Sequence, residues 1–304
     1  MPDYLPFPEG PFRLAMGLLN LELHDWIEID EKFEEELLLK RKLLAGQQDA
    51  CFLALPGSEP GSTETLDLLA AHLPARFPEI YRRDGDTLRV LPLGETWNLR
   101  RTDLHPLDVA ARLVQEDLCL MEPNGESYVL AALSVCVPSR WHIAEKLGKA
   151  MPGIHAPVAF YDEKLARPVD RFFSLLKEDR PVQRFNWNLL DDPALFQPGG
   201  HNRKERDPGI TGENAGERIF IRVERQTLRR LPLSGGILFG IRTYVRPLSS
   251  IAGRPDDCRR LAGAIRALPE ATFRYKSLPV FADAALAWLD RHADVPGAPI
   301  RTAS

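Results

Sequence analysis

Ile219-Phe220-Ile221-Arg222-Val223-Glu224-Arg225-Gln226-Thr227-Leu228-Arg229-Arg230-Leu231-Pro232 is the most unusual stretch of the chain. In an extended strand, successive side chains point to opposite faces. Ile219, Ile221, Val223 and Arg225 then share one face, and Phe220, Arg222, Glu224 and Gln226 share the other. Both faces mix apolar groups with charge, so charged heads are expected near or inside the core. Breaking a buried ion pair typically costs about 3–5 kcal/mol, so such a strand needs partners or a charged ligand. Arginine meets carboxylates and phosphates with a two-pronged fork. The pattern therefore fits either a structural ion-pair ladder with Glu224 and Arg242 or a site that holds an anion. Residues 218–227 and 236–245 read as two strands joined through Pro232 and Ser234-Gly235-Gly236, and the spacing predicts an antiparallel hairpin.

Working outward, residues 28–45 read as a helix capped by Asp30, with Phe33, Leu37, Leu38 and Leu44 as its apolar stripe and Gly46 as its stop. A short helix is expected at 64–73. Asp84-Gly85-Asp86 marks a turn between two short strands at 82–90. Pro106 starts a helix expected to run to about 119, with Leu107, Ala110, Ala111, Val114 and Leu118 as one stripe and Asp117 at its border. Pro123-Asn124-Gly125 centres a turn at 121–127, and 128–137 is an apolar strand. Helices are expected at 139–149 and 162–179, then a Gly-, Pro- and charge-rich loop at about 197–216. Two final helices fall at about 256–268 and 279–291. Helices and strands come in clusters, and no Gly-x-Gly-x-x-Gly or Walker motif is present. The fold class is therefore α+β, an antiparallel sheet with packed helices. One domain over 1–304 is expected, with an N-terminal helical part to about 75, a core over about 76–250 and C-terminal helices beyond.

Composition narrows the function. Among 304 residues, 44% are hydrophobic, enough for a core that buries roughly three quarters of the unfolded surface. The net charge of −4 offers no general attraction to nucleic acid or anionic membrane. No apolar run approaches the roughly 20 residues that span a bilayer, and Met1-Pro2-Asp3-Tyr4 lacks a secretory pattern, so a cytoplasmic setting is expected. Cys51, Cys119, Cys136 and Cys258 form no Cys-x-x-Cys pair and sit in apolar stretches, as buried reduced thiols do. Any iron–sulfur cluster would belong to a partner.

Three further segments carry chemistry. Val137-Pro138-Ser139-Arg140-Trp141-His142 leads through Glu145-Lys146-Leu147-Gly148-Lys149 to Ile154-His155-Ala156-Pro157-Val158. Pro157 biases Ala156 toward extended geometry, which sets one imidazole against an apolar wall. His155 is then either a hydrogen-bonded core histidine or a metal ligand. Arg184-Phe185-Asn186-Trp187-Asn188 interleaves aromatics with amides, the pattern of a packed strand or loop. Gln115-Glu116-Asp117-Leu118-Cys119-Leu120-Met121 offers Asp117 as a half-buried carboxylate or a solvated helix edge.

These segments, with Arg222-Val223-Glu224-Arg225 and its continuation and Phe239-Gly240-Ile241-Arg242-Thr243-Tyr244, resemble the haem-dependent oxidative N-demethylase family. Weaker matches are Met16-Gly17-Leu18, Asp25-Trp26 and Arg274-Tyr275-Lys276. The resemblance implies a PAS-like haem domain with helical elaborations at both ends and one b-type haem per chain. It further implies oxidative removal of a methyl group from a small secondary amine such as dimethylamine, with O2 and a flavin and iron–sulfur reductase partner, and release of formaldehyde. By the same match His155 is the axial ligand, with His142 and His24 as alternatives, and Trp141 contacts the cofactor. Arg225 is assigned to stabilise negative charge on the oxygen side, and Arg222 or Arg242 to hold a propionate. Asp117, Glu224 and Tyr161 are the expected partners of a protonated amine. A haem sensor or carrier without catalysis would share the histidine and pocket. A cofactor-free protein using the basic run on an acidic partner or nucleic acid is disfavoured by the acidic overall charge.

Overall fold

The computed structural model describes residues 2–125, 127–200 and 203–293. Residue 126 of the expected turn, 201–202 of the expected loop and 294–304 of the expected C-terminal helical part lie outside them. In chain order the strands are β1 (Leu19–Asn20), β2 (Phe52–Ala54), β3 (Tyr81–Asp84), β4 (Thr87–Val90), β5 (Glu95–Asn98), β6 (Asp117–Asn124), β7 (Ser127–Ser134), β8 (Val182–Leu190), β9 (Phe220–Arg230) and β10 (Ile237–Pro247). The helices are α1 (Phe33–Gly46), α2 (Gln48–Cys51), α3 (Glu59–Arg76), α4 (Pro106–Ala111), α5 (Met151–His155), α6 (Tyr161–Lys164), α7 (Ala166–Leu175), α8 (Ala215–Arg218), α9 (Pro255–Arg266), α10 (Glu270–Tyr275) and α11 (Ala282–Ala293).

Seven strands form an antiparallel sheet in the order β1-β8-β9-β10-β6-β7-β2, and β3-β4-β5 form a small meander. The expected α+β class holds. The β9–β10 hairpin forms as the alternation predicts, closed by Arg230↔Ile237, and Gly235 takes the positive φ of 70° that its turn requires. Arg222 stands opposite Val245, Glu224 opposite Thr243 and Arg225 opposite Arg242. On the other side of β9, Asn188, Asn186 and Arg184 stand opposite Arg222, Glu224 and Gln226. Residues directly opposite share a face, so the register extends the two faces of β9 across the sheet.

The Arg225 face is covered by both terminal parts of the chain. Ile221, Val223, Trp187 and Leu189 pack with α9 and α11, and Leu118, Leu120, Ala132 and Leu238 pack with α1, α3 and α4. The Glu224 face is covered by the middle of the chain. Cys119, Met121, Leu133, Leu228 and Ile237 pack there with Ile143, Tyr161, Leu165, Val169 and Phe173.

Several local expectations are corrected. The helix from Pro106 stops at Ala111, and Asp117 begins β6. Leu118-Cys119-Leu120-Met121 is buried on both faces, so cross-strand pairing with β7 and β10 overrides the helical stripe. The helix expected at 139–149 reduces to one 3-10 turn, Ile143–Glu145, beyond a left-handed Arg140 (φ 63°). The helix at 162–179 splits into α6 and α7. Leu38 of α1 is exposed rather than part of the stripe.

Candidate functional site

The register separates the charges of β9 into two different environments. On the Arg225 face, Arg225 Nε donates to Gln183 Oε1 at 2.8 Å, and its terminal nitrogens donate to the carbonyls of Trp26 and Asp25 at 3.2 and 2.5 Å. Glu28 Oε1 lies 3.4 Å from Nε. Arg242 contacts Asp30 at 2.9 Å and Glu36 at 2.7 Å, with its guanidinium over the Tyr244 ring. Gln115 donates to both carboxylates, and Tyr4 and Tyr244 donate to Glu28. The two arginines thus sit in a polar seam between the two terminal core clusters and bind the N-terminal part of the chain to the sheet. Arg225 has its full set of acceptors there, on the face opposite His155; the structure does not bring it to the imidazole. Arg242 is held on the same far face.

Asp117 is also spent on structure. Its carboxylate accepts from the amides of Cys136 and Val137 at 2.8 and 2.9 Å, and Lys40 Nζ lies 3.9 Å away. Burial raises its pKa, and Lys40 with the two amides opposes that rise. Lys40 itself donates to the carbonyls of Val114 and Glu116, so this side chain is a buried tie between α1 and the start of β6.

The Glu224 face is different. Glu224 accepts from Arg222 Nε at 3.0 Å, Gln226 Nε2 at 2.9 Å and Asn186 Nδ2 at 3.5 Å. Burial alone would raise its pKa; Arg222 and these amides outweigh it and hold the carboxylate below its usual range. Arg222 also donates to Val137 O at 2.7 Å and Thr243 Oγ1 at 3.2 Å. Over this face lie α5 and α6. His155 Nδ1 is 3.0 Å from Met151 O, and its ring stacks on Tyr161 with centroids 4.4 Å apart and planes 8° apart. A carbonyl only accepts, so the proton sits on Nδ1 and the Nε2 lone pair points away from that bond. Burial pushes the imidazole's pKa down to about 4, and Lys146 and Arg184 act in the same direction. Tyr161 is buried, and burial pushes its hydroxyl up to about 12. Trp141 packs half-buried against the same cluster.

Among the described residues, Tyr161 OH, Arg184 Nε and Arg222 Nη1 on this face are buried without a hydrogen-bond partner; on the Arg225 face Arg229 Nε and Arg242 Nε and Nη2 are too, but Arg242 there is ion-paired with two carboxylates. Buried polar groups are normally paired, and an orphan donor is a place to look for a ligand. Lys276 completes the surroundings: its Nζ donates to Trp187 O at 2.5 Å, and burial lowers its pKa to about 8. The non-glycine residues with positive φ among the described residues are Arg140, Phe160 and Ser277, at 63°, 65° and 56°. They adjoin Trp141, Tyr161 and Lys276 respectively. Such backbone costs about 1–3 kcal/mol per residue and collects at functional sites.

The alternative histidines fit less well. His142 and His24 are exposed. His72, which the sequence did not single out, is a second half-buried imidazole, held against Trp26 and Phe77 and lowered to about 4 by burial. It lies with α3 on the Arg225 side. Arg184 and Lys276 lie in segments that carry the resemblance, but the sequence assigned neither of them a role in the site.

A neutral imidazole with Nε2 unengaged, beside buried donors that lack acceptors, fits a haem, whose porphyrin would leave one iron position for a protein ligand; His72, with Nε2 unpartnered beside Arg229, shares part of this pattern on the Arg225 side. No group of three or more His, Cys, Asp or Glu side chains suited to a bare metal ion occurs among the described residues. Cavities of about 280 Å³ beside Phe220 and Pro247 and about 460 Å³ beside Leu175 and Arg230 are lined by neither His155 nor Arg184. No helix among the described residues is long and apolar enough to cross a membrane.

An α+β protein with a buried neutral imidazole over a polar sheet face is a candidate haem protein. Residues 17–286 match the family described as haem-dependent oxidative N-demethylase, alpha subunit-like, and the chain belongs to that family. The family name denotes an oxidoreductase that depends on haem, and an alpha subunit implies a partner subunit.

Proposed function

We propose that this chain binds one b-type haem on His155 and is the haem subunit of an oxidative demethylase. Its substrate in this account is a small secondary amine such as dimethylamine. O2 is the oxidant, electrons come from a flavin and iron–sulfur reductase partner, and formaldehyde is released. The observation that carries the proposal is His155 itself, half-buried and neutral, with Nδ1 committed to Met151 O, in a chain matched by the family over 17–286. The PAS-like character of the domain and a cytoplasmic setting belong to the same proposal.

Haem supplies the oxygen-activating chemistry when bound. The chain's own residues do the rest. Met151 O fixes the imidazole's tautomer and the Tyr161 ring fixes its plane, as outer partners of metal-bound histidines do. Glu224, kept ionised by Arg222, Gln226 and Asn186, is the carboxylate on this face that can hold a protonated amine. The haem-loaded chain, supplied with dimethylamine, O2 and an NAD(P)H-driven ferredoxin-type reductase, should release formaldehyde. A haem-loaded chain that is reduced and reoxidised while the amine stays intact would instead fit a sensor or carrier.

A further inference from the structure

We propose that Arg184 is the carboxylate anchor of this site, assisted by Lys276 and the Tyr161 hydroxyl, and that it holds the propionates of the porphyrin. The inference rests on the haem proposal and gives a role to Arg184, which lies in a segment that carries the resemblance but was assigned no role by it.

The first observation is a matter of supply. The sequence offered Arg222, Arg225 and Arg242 as anion partners. Arg225 and Arg242 are on the far face, Arg225 hydrogen-bonded through all three of its nitrogens and Arg242 ion-paired with Asp30 and Glu36, although Arg242 Nε and Nη2 have no hydrogen-bond partner. Arg222 is held by Glu224, Val137 O and Thr243 Oγ1, which leaves one nitrogen free. Arg184 differs. It makes no ion pair among the described residues, its Nε is buried and unpartnered, and burial lowers its pKa against the opposing effect of Glu224, a carboxylate already engaged by Arg222, Gln226 and Asn186. A guanidinium in that position is an anion receptor without its anion.

The second observation is charge balance. Around Glu224 stand the cations Arg184, Arg222 and Lys276; Asp117 also feels Arg222 but has Lys40 as its own counter-charge, so the cations remain in excess. A ligand bearing a pair of carboxylates restores neutrality; a cationic or neutral ligand leaves the excess in place. The third is position. Arg184 faces Gln226 on the Glu224 face, and its charge is felt by His155, Tyr161 and Lys276. The receptor and the axial imidazole thus belong to one site. The buried Tyr161 hydroxyl, also without a partner, can donate to the same carboxylate.

The test compares hemin with hemin dimethyl ester, which keeps the iron and ring but loses both negative charges. Binding is read by absorbance titration of the full chain and needs no turnover. Wild type should bind hemin about tenfold or more tightly than the ester, since a charged hydrogen bond of this kind is worth about that much. Arg184→Gln should bring the two affinities close together while ester affinity stays near wild type. Arg184→Lys, which keeps the charge and guards against a misfolded Gln variant, should retain part of the preference, and Lys276→Met should lose a smaller part. A wild-type ratio preserved in folded Arg184→Gln overturns the anchor. So does equal affinity of wild type for both compounds, which leaves the haem proposal standing. A wild type that binds neither compound removes both.

Discussion

The two faces of β9 carry the same kinds of residue and put them to different uses. On the Arg225 face, Arg225 and Arg242 meet Glu28, Asp30, Glu36, Gln115 and Gln183, and the seam they form ties the N-terminal helices to the sheet. On the Glu224 face, cations outnumber the carboxylate and buried donors at Tyr161, Arg184 and Arg222 have no acceptor. Charge alone therefore does not mark a site. A buried cation opposed by its own carboxylates, as Arg242 is by Asp30 and Glu36, is architecture, and one without an opposed carboxylate points to a ligand.

The largest effect that can break this contrast is on stability. Arg242→Ala leaves Asp30 and Glu36 buried without their cation, and Arg225→Ala leaves the carbonyls of Asp25 and Trp26 without their donor. Each should cost about 3–5 kcal/mol in urea denaturation. Hemin bound per folded chain should stay at the wild-type level in both. Haem loss without destabilisation in either variant would move that arginine into the site. Asp117→Asn should be nearly as costly, because Lys40 loses its buried counter-charge.

Smaller, and specific to the imidazoles, is a pH effect on the haem-free chain. His155 and His72 have folded pKa values near 4 against an ordinary 6.5. Below 6.5 the unfolded chain takes up protons that the folded chain refuses, so stability falls as pH drops from about 6.5 to about 4. Melting temperatures across that window should decline, and His155→Gln and His72→Gln should each flatten part of the slope. A slope untouched by either change contradicts the burial assigned to these rings. The smallest expected effects are at the exposed His24 and His142. Alanine there should change stability by no more than about 0.5 kcal/mol and leave a haem spectrum as it was.

Much of the fold was legible because it followed local pattern. The β9–β10 hairpin, the Asp84-Gly85-Asp86 turn and the two C-terminal helices lie where alternation, turn chemistry and helical spacing put them. The segment 106–120 was misread because its apolar residues satisfy a helical stripe as well as a doubly buried strand, and long-range pairing decides between these. Alternation also divided the charges of β9 correctly, yet could not tell which face would be saturated. That depended on Glu28, Asp30 and Glu36, about two hundred residues away in sequence. Arg184 was visible in the aromatic-amide segment of β8, but its role was not, because that role is an acceptor the described residues do not provide.

The central claim is that His155 is the residue that would bind iron. It is tested most directly by the oxidised and reduced absorption spectra of the chain reconstituted with hemin, wild type beside His155→Ala. The account predicts a Soret band from about one haem per chain in wild type, and its loss or displacement in a His155→Ala protein whose circular dichroism is unchanged. A His155→Ala spectrum identical to wild type in both oxidation states would contradict it, and so would a wild-type chain that stays colourless after reconstitution.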